Sequence, residues 1–332
     1  MNHSFLENKI KLGFLPTPLH NLPRLQSKMG KYNFYVKRDD LTGLAGGGNK
    51  TRKLEYLLAE AIAMGADTII TAGAQQSNHC RQTAAACAQW GLSCHLLLGG
   101  NKPHSYNGNL LLSHLLGASI HFTGEHRKGE DLQFLKSQLE ADGKKCYIVP
   151  YGGSNFTGML GYVNAMFELK EQIEDQNITI DYIFFASSSG GTQAGIAFGN
   201  ALSGLNTKLM PVAIDKSSPG EISMGQTIAE LINEAKIKFE WNGLIPLEDL
   251  HLLPDYNQSG YGVLTSQEAH AIGLLAATEG ILLDPVYTGR AFYAMLHQCR
   301  QGLIPEGSNI LFWHTGGLPA NFEYADRLMH YL

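Results

Sequence analysis

The sequence predicts an α/β protein in which parallel strands carry helices on both faces and a small domain is inserted into a larger one. Three observations support this. Short apolar, β-prone runs alternate with stretches of helical periodicity along almost the whole chain, the pattern of βαβ units. Two glycine-rich hinges, at 43–48 and 152–161, bracket a segment that holds four such units. Glycine supplies 37 of 332 residues, well above the usual share of about 7%, which calls for tight turns and close backbone approaches.

The elements follow in order. The run TIITA at 68–72 reads as a buried strand, and further strands are expected at 93–98, 119–122, 146–150, 182–187, 208–214 and 309–314. Helices are expected between them at 52–64, 78–90, 131–140, 159–172, 192–202 and 266–279. In the first helix Leu54, Leu57, Leu58, Ala61 and Ile62 recur at helical spacing. Ligands of open parallel sheets bind beyond the carboxyl ends of the strands, and the polar and glycine motifs of this chain fall at those ends.

Composition excludes several classes. Apolar residues make up 44% and charged residues 17%, which fits a folded chain rather than a disordered one. The formal charge is −5 with no block of five like charges, so nucleic acid is not an expected partner. No run of 18 apolar residues occurs, so no membrane-spanning helix is expected. Residues 1–12 are polar and lack a signal-type apolar core, and the five cysteines are too few and odd in number for a disulfide framework; both point to the cytoplasm. Neither CxxC nor HExxH occurs and the 13 histidines have no metal-ligand spacing, so no metal is expected.

Five motifs could carry chemistry. In Gly46-Gly47-Gly48-Asn49-Lys50-Thr51-Arg52-Lys53 a glycine run delivers two lysines to the mouth of a helix. Cations are disfavoured there by the helix dipole, so an anion or a covalent partner is one reading and a loop with two solvated lysines the other. Gly73-Ala74-Gln75-Gln76-Ser77-Asn78-His79 follows a strand and opens a helix. Ser77 or Asn78 would cap it, or the free N–H groups would hold a carboxylate. In Ser187-Ser188-Ser189-Gly190-Gly191-Thr192 hydroxyls, glycines and a helix N-terminus converge as a phosphate requires. The alternative is a simple tight turn. Asp284-Pro285-Val286-Tyr287-Thr288 ends an apolar run, with Tyr287 capping a helix-like stretch; singly, Tyr287 reads as a packed aromatic. In His314-Thr315-Gly316-Gly317, His314 reads as a structural hydrogen-bonder and Thr315 as a hydroxyl able to reach a ligand. A lysine, a phosphate cradle, a carboxylate-type turn and a strand-end hydroxyl together suit one cofactor, pyridoxal phosphate.

On these residues the chain resembles the pyridoxal-phosphate enzymes that comprise D-cysteine desulfhydrase and 1-aminocyclopropane-1-carboxylate (ACC) deaminase, within the tryptophan-synthase-β-like superfamily. The matching motifs are GGGNKTRKLE from Gly46, GAQQSNHCRQTA from Gly73, SSSGGTQAG from Ser187, SGYG from Ser259, LLDPVYTG from Leu282 and HTGG from His314, in register over nearly the whole chain. The resemblance implies two open, mostly parallel twisted sheets flanked by helices, a large cofactor-binding domain at 1–45 and 157–332, a small domain at 46–156, and a homodimer. It implies that Lys50 engages the cofactor's aldehyde, with Asn49 beside it and Lys53 toward the phosphate. Ser77 and Asn78 would hold the substrate carboxylate and the ring oxygen. Gly190, Gly191 and Thr192 would cradle the phosphate, with Ser188 and Ser189 near. Tyr261 and Tyr287 would face the substrate, and Thr288 and Thr315 would stand at the cofactor, Thr315 toward the ring nitrogen.

Two of these positions separate activities within the resemblance. ACC deaminases carry an acidic residue after the tyrosine of the DPVY motif and leucine at the position of Thr315; Thr288 and Thr315 are the combination of D-cysteine desulfhydrases. The expectation is therefore β-elimination of D-cysteine to pyruvate, sulfide and ammonia. ACC deamination and a lyase for another β-substituted small amino acid are the alternatives. A non-enzymatic binder of a phosphate ligand would have no need of Lys50.

Overall fold

The computed structural model describes residues 4–205, 207–216 and 223–332. In chain order the elements are β1 (Leu19–Asn21), α1 (Pro23–Met29), β2 (Asn33–Arg38), α2 (Lys50–Ala63), β3 (Thr68–Ala74), α3 (Asn78–Trp90), β4 (Ser93–Gly99), α4 (Gly108–Leu115), β5 (Ser119–Phe122), α5 (Leu132–Ala141), β6 (Cys146–Ile148), α6 (Phe156–Asp175), β7 (Tyr182–Ser187), α7 (Gly191–Ser203), β8 (Lys208–Ala213), α8 (Met224–Lys238), α9 (Ser266–Glu279), α10 (Thr288–Arg300), β9 (Asn309–His314), α11 (Ala320–Glu323) and α12 (Ala325–Tyr331).

These strands form two sheets. Strands β5-β4-β3-β6 make a wholly parallel sheet from the middle of the chain. Strands β1-β2-β9-β7-β8 make a second sheet, parallel except for the antiparallel β1–β2 edge. The two-sheet α/β architecture expected from the sequence is thus observed. Each expected strand is present, but β3 runs on to Ala74 and β6 stops at Ile148.

The larger sheet is buried on both faces because its strands alternate between two apolar layers. On β7, Phe184 points into a core with Phe34, Phe292, Met295 and Phe312. Its neighbours Ile183 and Phe185 point the other way, into Met159, Tyr162, Phe198 and Trp313. Each such side chain contributes about 1.5–3 kcal/mol on burial. In α2, Leu54, Leu57, Leu58 and Ala61 are buried as the spacing predicts, while Ile62 is exposed at the edge of the stripe. Among the described residues no helix is long and apolar enough to cross a membrane.

Seven elements did not stand out in the sequence: β1, α1, β2, α4, α8, α11 and α12. In β2 the inward-facing Lys37 broke the apolar pattern. It is fully buried, where its ammonium donates to Thr17 O at 2.8 Å and pairs with Glu168. In α10, legible only as a helix-like stretch, Arg290 is likewise fully buried and paired with Glu268 at 2.5 Å. Charges sealed inside by partners remote in sequence defeat a reading based on polarity.

Candidate active site

The site begins where α2 begins. Gly46, Gly47 and Gly48 all take positive φ, which only glycine adopts freely. A side chain at Gly316 would stand 2.6 Å from Gly48 Cα, so the turn after β9 and the mouth of α2 meet backbone to backbone. Asn49 N–H donates to Thr315 O at 2.9 Å, which fixes Lys50 opposite the end of β9. Behind it, Arg52 donates to Asp39 and Glu168 at 2.8–3.0 Å, while Tyr162 and Trp313 donate to Asp39 Oδ2 at 2.6 and 2.8 Å. This buried network ties α2 to β2, β9 and α6.

A cleft opens in front of Lys50. It is lined by Asn49, Lys50, Ser77, Asn78, His79, Tyr151, Gly152, Ser187, Ser188, Ser189, Gly190, Thr192, Tyr287 and Thr315, with Ala186. Most residues singled out in the sequence meet here. Four do not line it. Lys53 and Gly191 stand behind the wall, Tyr261 touches the cleft through Tyr287, and Thr288 is sealed beneath it with its hydroxyl 2.7 Å from Asp284 Oδ1.

The turn into α7 is built for an anion. Gly190 (φ 83°) precedes the helix and supplies no side-chain cap; Ser154 Oγ takes the Gly191 N–H, and the next N–H groups of the turn are left for a ligand. Ser188, Ser189 and Thr192 bring hydroxyls. Thr192 Oγ1 accepts from Asn49 at 3.2 Å, which joins this turn to the lysine helix. A Cβ on Gly191 would lie 2.7 Å from Ser154 Oγ and 2.9 Å from Lys53 Nζ, so only glycine leaves room there. Lys53 is held at 3.0 Å by Gly152 O. Burial, then the charge of Lys50, pushes Lys53 far below ordinary lysine basicity. Burial lowers Lys50 to about 8.

The opposite wall carries hydroxyl, amide and phenol groups. Ser77 caps α3, its Oγ accepting from Cys80 N–H at 3.2 Å. The Oδ1 of Asn78 is taken by Asn109 at 2.9 Å, which leaves its amide N–H groups for the cleft. Tyr287 meets Tyr261 hydroxyl to hydroxyl at 2.6 Å. Burial raises the pKa of both phenols, so both carry their protons at neutral pH. His314 is structural: Nε2–H donates to Leu282 O at 3.0 Å and Nδ1 accepts from Gly316 N–H at 3.2 Å.

Three lining or supporting residues escaped the sequence reading. Tyr151 lines the cleft and Ser154 links Ser189 Oγ (2.8 Å) to Gly191 N–H (3.1 Å). Ser154 sits in the second glycine hinge and Tyr151 immediately precedes it, which was the available signal. The third is His79. The Thr71 hydroxyl donates to Val149 O at 2.8 Å, so His79 Nε2 must carry the hydrogen that bridges the 2.8 Å to Thr71 Oγ1. Its Nδ1 is therefore a bare acceptor, buried and without a partner among the described residues. Burial and the charges of Lys50 and Lys53 keep this imidazole neutral.

The donor set fits pyridoxal phosphate. A half-buried lysine, Lys50, faces the cleft and a buried one, Lys53, backs it, and none of its described lining residues is Asp or Glu. Such cations in a buried site call for a bound anion. The hydroxyls of Ser188, Ser189 and Thr192 at the mouth of α7 suit a phosphate; Lys50, of depressed basicity, suits an aldehyde.

Comparison with known proteins agrees. The family described as pyridoxal-phosphate dependent enzyme matches residues 10–316. The chain is 41% identical over 326 residues to a D-cysteine desulfhydrase of Salmonella newport (strain SL254), covering 95% of this chain and 96% of the relative. It is 41% identical over 319 residues to that of Salmonella typhimurium, covering 93% and 94%. The solved structure of an ACC deaminase homologue superposes with a TM-score of 0.89 at 36% identity, covering both chains completely. A threonine deaminase of Solanum lycopersicum shares the fold at a TM-score of 0.65 and 18% identity, covering 98% of this chain and 84% of that one. By its cleft, its donors and its match over most of its length, the chain belongs to the pyridoxal-phosphate-dependent enzymes.

Proposed function

We propose that the protein is a lyase that eliminates sulfide from D-cysteine, yielding pyruvate and ammonia with one water consumed. The observation that carries this reading is the neutral wall of the cleft. Thr315 lines the cleft and would meet the ring nitrogen of a bound cofactor where a carboxylate could stand, and Thr288 is committed to Asp284. A neutral hydroxyl makes the ring a weaker electron sink than a carboxylate partner would. That is enough to expel a good leaving group such as thiolate. The relatives named D-cysteine desulfhydrase support the same reading.

When bound, pyridoxal phosphate supplies an aldehyde for the substrate amine and a ring that draws electrons from Cα. The chain's residues do the rest. Ser188, Ser189, Gly190 and Thr192 would hold the phosphate, backed by Gly191 and Lys53. Asn78 and Thr315 orient the ring, with Asn49 bracing Lys50. Ser77 holds the substrate carboxylate. Lys50 takes the Cα proton at Nζ as a neutral amine. Tyr287 gives its hydroxyl proton to the departing sulfur, and Tyr261, 2.6 Å away, resupplies it. Lys50→Ala should lose sulfide release and the visible absorbance of the loaded protein, while retained turnover would refute the scheme.

The reading includes a cytoplasmic homodimer with lobes at 1–45 with 157–332 and at 46–156, on the strength of the family resemblance; a sedimentation mass of one chain would count against the dimer. ACC deamination is the second reading. The likeness to the ACC deaminase homologue favours it, and 2-oxobutyrate would be its product.

A further inference from the structure

Outside the cleft, Arg127, in the loop after β5, touches two tyrosines at its edge, Tyr151 and Tyr261. Its guanidinium makes three contacts. Nη2 donates to Asp215 Oδ2 at 2.5 Å, Nη1 donates to Tyr151 OH at 3.3 Å, and Cζ lies 4.5 Å from the centre of the Tyr261 ring. Asp215 is itself anchored beyond β8, where its carbonyl accepts from Asn257 at 2.9 Å. The approach of Arg127 is built into the smaller sheet. A side chain at Gly99, the last residue of β4, would stand 2.4 Å from Arg127 Cβ and 3.2 Å from its Cα. Only glycine at the end of that strand lets the loop pass.

We infer that Arg127 is a positioning residue for the elimination: it pins the Tyr261 ring and the Tyr151 hydroxyl against the cleft, with Asp215 fixing its plane, and so holds Tyr261 in hydrogen-bond contact with Tyr287. The planar fork explains why arginine serves here. One face stacks on an aromatic ring while two edges donate to different acceptors, which a lysine ammonium on a flexible stem does not reproduce. Tyr261 has no other ion over its ring among the described residues. Its hydroxyl is spent on Tyr287 and its ring packs against the core that holds Phe184, with the guanidinium completing its seat behind Tyr287. Arg127 also joins the two sheets, since it leaves the end of β5 and reaches the end of β8. The tyrosine pair is therefore in register only when the two sheets are correctly docked. Arg127 itself does not line the cleft. Its effect should fall on turnover rather than on substrate capture.

This inference rests on the assignment of Tyr287 and Tyr261 to the lyase reaction, and the test separates the two. The crystal structure of loaded R127M should show the Tyr261–Tyr287 oxygens parted beyond about 3.2 Å, the limit of a good hydrogen bond. A pair still at 2.6 Å would overturn the role, whatever the substrate proves to be. With D-cysteine, R127M should lose about tenfold or more in kcat with KM changed less than about threefold, the split of an interaction made in the transition state. In a Y261F background the same substitution should cost nothing further, because Arg127 acts through that ring. An unchanged kcat, or an equal loss with and without Tyr261, would refute it. Wild type silent on D-cysteine would count against the lyase reading alone, leaving the structural arm to decide. Should R127M not fold, R127K keeps the charge and loses the fork, and is read by the same criteria.

Discussion

The hydroxyl of Thr288 donates to Asp284 Oδ1 over 2.7 Å and accepts the Asp284 backbone N–H at the same distance. The carboxylate of Asp284 also takes the N–H groups of Val286, Tyr287 and Thr288 at 2.7–3.0 Å, so it caps α10 and sets the backbone of Tyr287. Thr288→Val removes a buried donor and acceptor and should cost about 1–3 kcal/mol in chemical denaturation. Thr288→Glu sets a second carboxylate against Asp284 and should cost more without creating 2-oxobutyrate from ACC. A Thr288→Glu protein as stable as wild type would show that Asp284 does not confine this position.

Lys53 offers a substitution with two effects of opposite sign. It is a buried amine of depressed basicity with Gly152 O at 3.0 Å, Ser154 Oγ at 3.5 Å and the charge of Lys50 near. Lys53→Met should leave the cofactor-free protein as stable as wild type or more so. It should weaken pyridoxal phosphate binding by about tenfold or more, the worth of a charge-assisted hydrogen bond to phosphate. Titrating the apo-protein with cofactor and melting both forms checks each half. Unchanged affinity would place the phosphate elsewhere.

Lys50 should be unusually reactive before the cofactor is bound. Burial lowers it from 10.5 to about 8. The neutral, nucleophilic amine therefore grows in as pH rises through about 8. Pulse acetylation of the apo-protein, read by mass spectrometry of the Lys50 peptide, should follow a midpoint near that value. A midpoint above 10 would mean that Lys50 is solvated as an ordinary lysine.

The ionic network behind α2 makes a stability prediction. Burial opposes ionisation of Asp39, but the Arg52 charge and its hydrogen bonds outweigh it and hold the carboxyl below its ordinary value. Glu168 is lowered in the same way. A depressed carboxylate stabilises above its unfolded value, about 4, and loses that contribution as pH falls through the folded value. Arg52→Met should cost about 3–5 kcal/mol at pH 7, because it strands the buried Asp39 carboxylate and leaves Glu168 with Lys37 alone. The gap from wild type should narrow as pH drops below about 4. Urea melts across that range measure it, and a constant gap would show that the carboxylates are not held ionised by Arg52.

Much of this architecture was legible locally. Strands 182–187 and 309–314 are short apolar runs followed by SSSGG and TGG, and both prove to be central strands whose ends line the cleft. GGGNK delivers Lys50 as the helix-mouth argument requires. What stayed hidden depends on distant partners. Lys37 looks like a surface residue until Glu168, 131 positions on, is placed beside it. Ser154 and Ser189 are 35 residues apart and meet only in the fold. His79 shows its bare nitrogen only once Thr71 and Val149 are seen to use the other side. Thr288 carries the resemblance to one activity in sequence, yet its hydroxyl is turned to Asp284 rather than into the cleft.

The most direct measurement gives the loaded wild-type protein D-cysteine, L-cysteine and ACC in parallel and assays pyruvate, sulfide and 2-oxobutyrate. Pyruvate and sulfide in equal amounts from D-cysteine, with no 2-oxobutyrate from ACC, is the predicted result. 2-Oxobutyrate from ACC, or silence with D-cysteine, would contradict the account of a neutral cleft wall made for β-elimination.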